Sequence, residues 1–134
     1  MKAILTPVGS DGDVLPFVGT GVELARRGHD VVVIANDHFE PIVRHAGLRF
    51  AACGTSEQFR RLVFARGLVE LRRAAHETFE LISRDLHRVV AEHYSAGETV
   101  LIAHVLAPGA RIVKELHAAP FVTILLSPAR LAMA

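Results

Sequence analysis

The sequence predicts an α/β fold in which a doubly wound, mostly parallel sheet is covered by helices on both faces. Three observations lead there. Short apolar runs alternate with longer stretches of helical periodicity along the 134 residues. The run Val31-Val32-Val33-Ile34-Ala35 is apolar at every position, as a strand buried on both faces must be. Gly, Asp and Pro stand at the joints, where helices start and stop. Strands alternating with helices make βαβ units with right-handed crossovers.

Ala3-Ile4-Leu5-Thr6 is the first strand. A loop rich in Gly and Asp follows, then a helix from Val14 to Arg27 with Val14, Phe17, Val18, Val22 and Ala25 as its apolar stripe. Asp13 is the expected N-cap, Pro16 falls in the expected first turn, and Gly28 is the natural stop. Val31 to Ala35 is the second strand. Asp37 is expected to cap a second helix, His38 to Ala46, ended by Gly47; Leu48-Arg49-Phe50-Ala51 is a short third strand. A helical region runs from Glu57 to Tyr94 with a break near Gly67, and Leu71, Ala75, Thr78, Leu81, Ile82, Leu86 and Val89 recur in it at helical spacing. Thr99 to Ala103 is the fourth strand, Pro108 to His117 a helix, and Phe121 to Leu126 the fifth strand. The expected order, 3-2-1-4-5, reverses between strands 1 and 4. Ligands bind beyond the carboxyl ends of the strands at such a reversal. Two segments should therefore face the crevice: Pro7 to Asp13, and His104 to Gly109.

Composition narrows the function. With 15 basic and 14 acidic residues the net charge is +1, which lacks the basic excess of a nucleic-acid binder. The single cysteine, Cys53, excludes an internal disulfide and agrees with a reducing cytoplasm. The longest apolar run, Ala118 to Leu126, contains Pro120 and is far short of a membrane span. The expectation is one soluble, cytoplasmic domain. Arg60, Arg61, Arg66, Arg72, Arg73, Arg84 and Arg88 alternate with Glu57, Glu70, Glu77, Glu80 and Asp85, which reads first as a salt-bridged helix face. Peripheral contact with the inner membrane is the alternative for that stretch.

The loop Gly9-Ser10-Asp11-Gly12-Asp13 is where chemistry concentrates. Its glycines permit a tight turn and close backbone approach to a ligand, and the N–H groups of the next helix favour negative charge. Asp13 can cap that helix, accept a proton from a bound hydroxyl, or do both with its two oxygens. The loop lacks the G-x-G-x-x-G dinucleotide fingerprint, yet Asp37 at the end of strand 2 stands where a ribose-binding acid would. A nucleotide- or dinucleotide-binding Rossmann domain therefore stays open. No P-loop lysine, no His or Cys pair with metal-ligand spacing and no G-x-S-x-G elbow is present. His104 directly follows strand 4 and either reaches the crevice or bonds its own loop. Ser127 and Pro128 follow strand 5 and either line the crevice or make a plain turn. His29 lies at the other end of the sheet, and His38 is expected to be exposed. His45, His76, His87, His93 and His117 fall on solvent-facing helix positions, and Cys53 has no base partner.

Taken together, Gly9-Ser10-Asp11-Gly12-Asp13-Val14-Leu15-Pro16-Phe17 resembles the G-S-x-G-D-x-x-P signature of bacterial GT-B glycosyltransferases, among them sterol, glycolipid and rhamnosyl transferases. Leu24-Ala25-Arg26-Arg27-Gly28-His29-Asp30-Val31 resembles the L-x-x-R-G-H-x-V block that follows. Phe39 to Val43 with Gly47 to Phe50, and Ala107 to Leu116 with Ala119 to Val122, look like the later blocks, in order. The resemblance implies that residues 1–134 are an N-terminal, acceptor-binding domain of a GT-B fold, incomplete at its end, with the C-terminal donor-binding domain absent. It implies transfer of a sugar from a nucleotide-sugar to an acceptor hydroxyl, with inversion and without a metal or other cofactor. Asp13 falls on the proposed general base. Gly9, Ser10, Gly12, His104 and Ser127 would face acceptor or donor. The partners would be the nucleotide-sugar and a small-molecule, sugar or lipid acceptor. One departure is Asp11, where many members carry Arg or Thr. A non-catalytic subunit that needs a separate donor-binding partner is the competing expectation.

Overall fold

In a computed structural model, which describes residues 1–127 with the side chains of Leu81 and Ile82 excepted, five strands form one sheet. They are β1 (Lys2–Thr6), β2 (Asp30–Ala35), β3 (Arg49–Ala52), β4 (Thr99–His104) and β5 (Phe121–Ile124). Every pairing is parallel and the order is β3-β2-β1-β4-β5, as the sequence predicts. The helices are α1 (Asp11–Arg26), α2 (Glu40–His45), α3 (Ser56–Val63), α4 (Leu68–His93) and α5 (Pro108–His117).

Side-chain alternation along the strands divides the core in two. Ala3, Leu5, Val31, Val33 and Ile102 point to one face and pack on Val14, Phe17 and Val18 of α1. Ile4, Val32, Ile34, Leu101 and Ala103 point to the other and pack on Leu86, Val89 and Val90 of α4 and on Ala110 and Val113 of α5. Both faces of β1 and β2 are thus dry, which is why these strands read as unbroken apolar runs. Phe17 is wholly buried, and burial of such a ring stabilises the fold by about 1.5–3 kcal/mol.

The helix starts differ from expectation. Ser10, not Asp13, is the N-cap of α1: its backbone is extended, and its carbonyl accepts the N–H groups of Asp13 and Val14 at 2.9 and 3.0 Å. Asp13 lies one turn in and reaches back to the Ser10 N–H, the reciprocal half of a capping box. Pro16 consequently sits in the second turn rather than the first. Having no N–H, it leaves the Gly12 carbonyl without its i→i−4 donor. The buried stripe of α1 continues through Gly21 rather than through Val22 or Ala25, both exposed. A Cβ at Gly21 would stand 2.8 Å from Leu48 Cδ1, so the glycine lets helix and sheet approach.

Asp37 does not cap the second helix. Asn36 caps a single 3-10 turn, Asp37–Phe39, its Oδ1 accepting the His38 N–H at 2.9 Å; α2 begins only at Glu40, with Pro41 in its first turn. The long helical region is broken, with α3 ending at Val63 and Gly67 preceding α4. In the first half of α4 the buried residue is Ala74, while Leu71 and Ala75 are exposed, because this half faces α3 rather than the sheet. Arg60 and Arg61 both bind Glu57, at 2.7 and 3.2 Å, and together hold its carboxyl below the usual range. Arg88 binds Glu92 at 2.8 Å. Among the described residues, no helix is long and apolar enough to cross a membrane.

Candidate active site

The sheet reverses its winding between β1 and β4, and their carboxyl ends part there. Thr6 is level with Ala103, so the loop after β1 lies beside the end of β4. This register brings Asp13, at the start of α1, against His104, the last residue of β4. The two residues come from different βα units.

Asp13 is held by its own loop. Its Oδ2 accepts the Ser10 N–H at 3.0 Å and the Ser10 hydroxyl at 3.3 Å. Gly9 makes this possible. It has φ +134°, a region that L side chains rarely adopt, and lies directly against the carboxylate. The Asp13 side chain is 29% exposed, so it is both fixed and reachable from the crevice. Ser10 and Gly12 are exposed around it. Asp11 is exposed too, and lines an outer groove with His38, Ser56 and Arg60.

His104 is not on the crevice surface. Its side chain is 1% exposed. It lies beneath Asp13, with Nε2 3.7 Å from Asp13 Oδ1, and its ring meets the Phe17 edge at 6.3 Å between centroids. Burial follows from register: as the final strand residue it still points into the sheet–helix layer rather than out into the loop. Ser127 is half-buried beyond β5 and is not among the residues lining the cavity beside the loop. Pro128 lies outside the described residues.

That cavity, of about 80 Å³, opens between the β1 loop, the end of β2 and helices α3 and α4. Val8, Val14, Ile34, Phe39, Phe59, Leu62 and Leu86 give it an apolar lining. Its polar fittings are few: Asn36, Gln58 and Thr78. A mostly apolar lining with a handful of placed polar groups is the ordinary character of a small-molecule site. Phe59 stacks on His38 at 4.2 Å and 15°, and meets Phe39 edge-on at 5.2 Å. Asn36 ties this part of the lining down by donating to the Thr55 carbonyl at 2.8 Å. Sequence periodicity did not find Phe39 and Phe59. Each is a lone aromatic beside a strand end or on a short polar helix, and only the third dimension joins them.

Cys53 also lines the cavity, and burial, then the nearby Asp85 charge, push its thiol up to about 11. It is a protonated, weakly nucleophilic thiol at neutral pH. Asp37 accepts the Ser56 hydroxyl at 2.5 Å, which pins the start of α3 to the end of β2. The remaining histidines divide: His45, His76 and His117 are exposed, whereas His87 and His93 are half-buried, with His93 Nδ1 2.9 Å from the Val89 carbonyl oxygen. Among the described residues, no three His, Cys, Asp or Glu side chains gather as metal ligands would.

Residues 3–134 match the family model described as the glycosyltransferase family 28 N-terminal domain. O-mycaminosyltylonolide 6-deoxyallosyltransferase of Streptomyces fradiae is 46% identical over 52 residues, covering 39% of this chain and 12% of that protein. A sterol 3-beta-glucosyltransferase of Eremothecium gossypii is 40% identical over 82 residues, covering 59% of this chain and 7% of that protein. Among solved structures, the Streptomyces sp. SF2575 glycosyltransferase SsfS6, in complex with thymidine diphosphate, superposes with a TM-score of 0.66 at 18% identity, over 92% of this chain and 38% of that one. The chain thus spans well under two thirds of the length of each of these proteins.

Proposed function

The chain belongs to the glycosyltransferase family 28 N-terminal domain family, and from that premise we propose that it binds the acceptor in a transferase that moves a sugar from a nucleotide-sugar to an acceptor hydroxyl, with Asp13 as general base. The observation that carries the reading is one juxtaposition. A carboxylate held on one oxygen by Ser10 lies at the topological switch point of the sheet, and its chain neighbours Gly9 and Val14 line an apolar cavity.

The chemistry follows from what each group does. The acceptor's apolar body fills the cavity between Val8, Phe39, Phe59 and Leu86, and its hydroxyl lies at Asp13. Asp13 takes the hydroxyl proton as the oxygen attacks the anomeric carbon. The bond from that carbon to the nucleotide diphosphate breaks on the opposite face, and the diphosphate leaves with the electron pair. The sugar configuration inverts. The diphosphate is stabilised by N–H groups at helix N-termini, with Ser10 and Gly12 contributing from this side and no metal ion required. The thymidine diphosphate bound to SsfS6 supports a nucleotide donor.

The test joins this domain to its donor-binding half and replaces Asp13 by Asn. Loss of kcat by about 10²–10⁴-fold is expected, the usual worth of a positioned base, with an inverted anomeric configuration in the wild-type product by NMR. A kcat for Asp13→Asn within about threefold of wild type would remove the base from this residue.

A further inference from the structure

The two oxygens of Asp13 are not equivalent. Oδ2 accepts two bonds from Ser10, one from the backbone and one from the hydroxyl. Oδ1 is therefore the oxygen left to take a proton, and it is the one that His104 Nε2 faces at 3.7 Å. The other ring nitrogen, Nδ1, accepts the Leu106 N–H at 3.3 Å. A nitrogen that accepts a hydrogen bond carries no proton, so the neutral ring has its proton on Nε2, the atom turned toward Oδ1. The ring cannot readily turn away. It is buried, it packs on Phe17, and a tight turn in which the Ala107 N–H bonds the His104 carbonyl at 3.0 Å closes the strand end around it.

We propose that His104 is the positioning residue for Asp13. Through Nε2–H it fixes the rotation of the carboxylate about its last bond, so that the open lone pair of Oδ1 points into the crevice. This inference rests on the reading of Asp13 as the base. The 3.7 Å separation is longer than a hydrogen bond; the proposal requires it to tighten in the complex with acceptor and donor, as catalytic hydrogen bonds commonly do. Ser10 and His104 then hold one oxygen each, one from the loop of β1 and one from the end of β4. A carboxylate pinned on both sides presents one lone pair in one direction, which is the geometric demand of proton abstraction. His104 touches neither acceptor nor donor and acts only through Asp13.

The first measurement is the ring tautomer of His104 in the protein, by two-bond ¹H–¹⁵N NMR. A proton on Nε2 is expected; a proton on Nδ1 overturns the proposal. The second is kinetics in the transferase that includes the donor-binding half. His104→Phe keeps the ring volume and removes the donor, and should lower kcat about 10²-fold with the acceptor KM changed less than about threefold. His104→Gln, which restores an N–H at a similar reach, should recover at least about tenfold of that loss. Equal impairment of the Phe and Gln variants, with both folded by circular dichroism, makes His104 a packing residue and overturns the role. The two readings separate cleanly. If Asp13→Asn loses activity and His104→Phe does not, positioning fails alone. If neither loses activity, the base fails as well.

Discussion

Gly9 and Asp13 compete for one volume: a Cβ built on Gly9 would stand 2.1 Å from Asp13 Oδ2. The glycine is present because the carboxylate is there. Gly9→Ala must expel the carboxylate from its place on Ser10 or unwind a backbone already at φ +134°. The expected result is a folded domain destabilised by about 1–3 kcal/mol, with kcat of the complete transferase falling about 10²-fold. Urea unfolding and steady-state kinetics together check it. A variant with normal kcat would mean that the carboxylate position does not matter.

Ser10→Ala removes the hydroxyl donor to Oδ2 and leaves the stronger backbone donor at 3.0 Å. Stability should fall by no more than about 1 kcal/mol, the usual net worth of one hydrogen bond. The kcat loss should stay below about tenfold, well short of that for Asp13→Asn. Thermal unfolding and kinetics on the same preparation provide the comparison.

Phe59→Ala takes away the ring that stacks on His38 and lines the cavity. If the acceptor body lies there, its KM should rise about tenfold, equivalent to roughly 1.4 kcal/mol, while kcat is nearly unchanged. Acceptor titration at saturating donor measures this. A fall in kcat at constant KM would instead place Phe59 in the reacting geometry.

Cys53 provides a pH signature. Its thiol is raised from 9.0 to about 11, first by burial. At neutral pH the thiolate fraction is therefore about 10²-fold lower than in an exposed cysteine, and alkylation should be slower by at least that factor. The sign for stability is set by the raised value. The folded state keeps its proton where the unfolded state has lost it, so stability holds below pH 9 and falls as pH rises from 9 toward 11. Iodoacetamide rates from pH 7 to 10, with a wild-type minus Cys53→Ser comparison of unfolding, check both statements.

The sheet was legible because its signal is local. Apolar runs and helical periods mark β1, β2, β4 and α5 to within a residue or two at each end, and parallel βαβ logic orders them. The start of α1 was misread because Ser10 and Asp13 are both good capping residues, three positions apart, and only backbone geometry decides between them. The sequence places His104 directly after the fourth strand, whereas it is that strand's last residue. Whether it faces solvent or core depends on the pairing of Thr6 with Ala103, which no local pattern encodes. The aromatic pair was invisible for the same reason: Phe39 and Phe59 meet across two chain segments.

Asp13 and His104 lie roughly ninety positions apart in a chain made from one end to the other. During synthesis the loop and α1 leave the ribosome long before β4 does. Until β4 slots in beside β1, the nascent chain has the carboxylate but not its buried partner. The site is thus latent in the first three-quarters of these residues and matures when β4 pairs with β1. Amide exchange at Ser10 and Leu106 should gain protection in the same kinetic step, so that the carboxylate meets its buried partner as β4 joins the sheet.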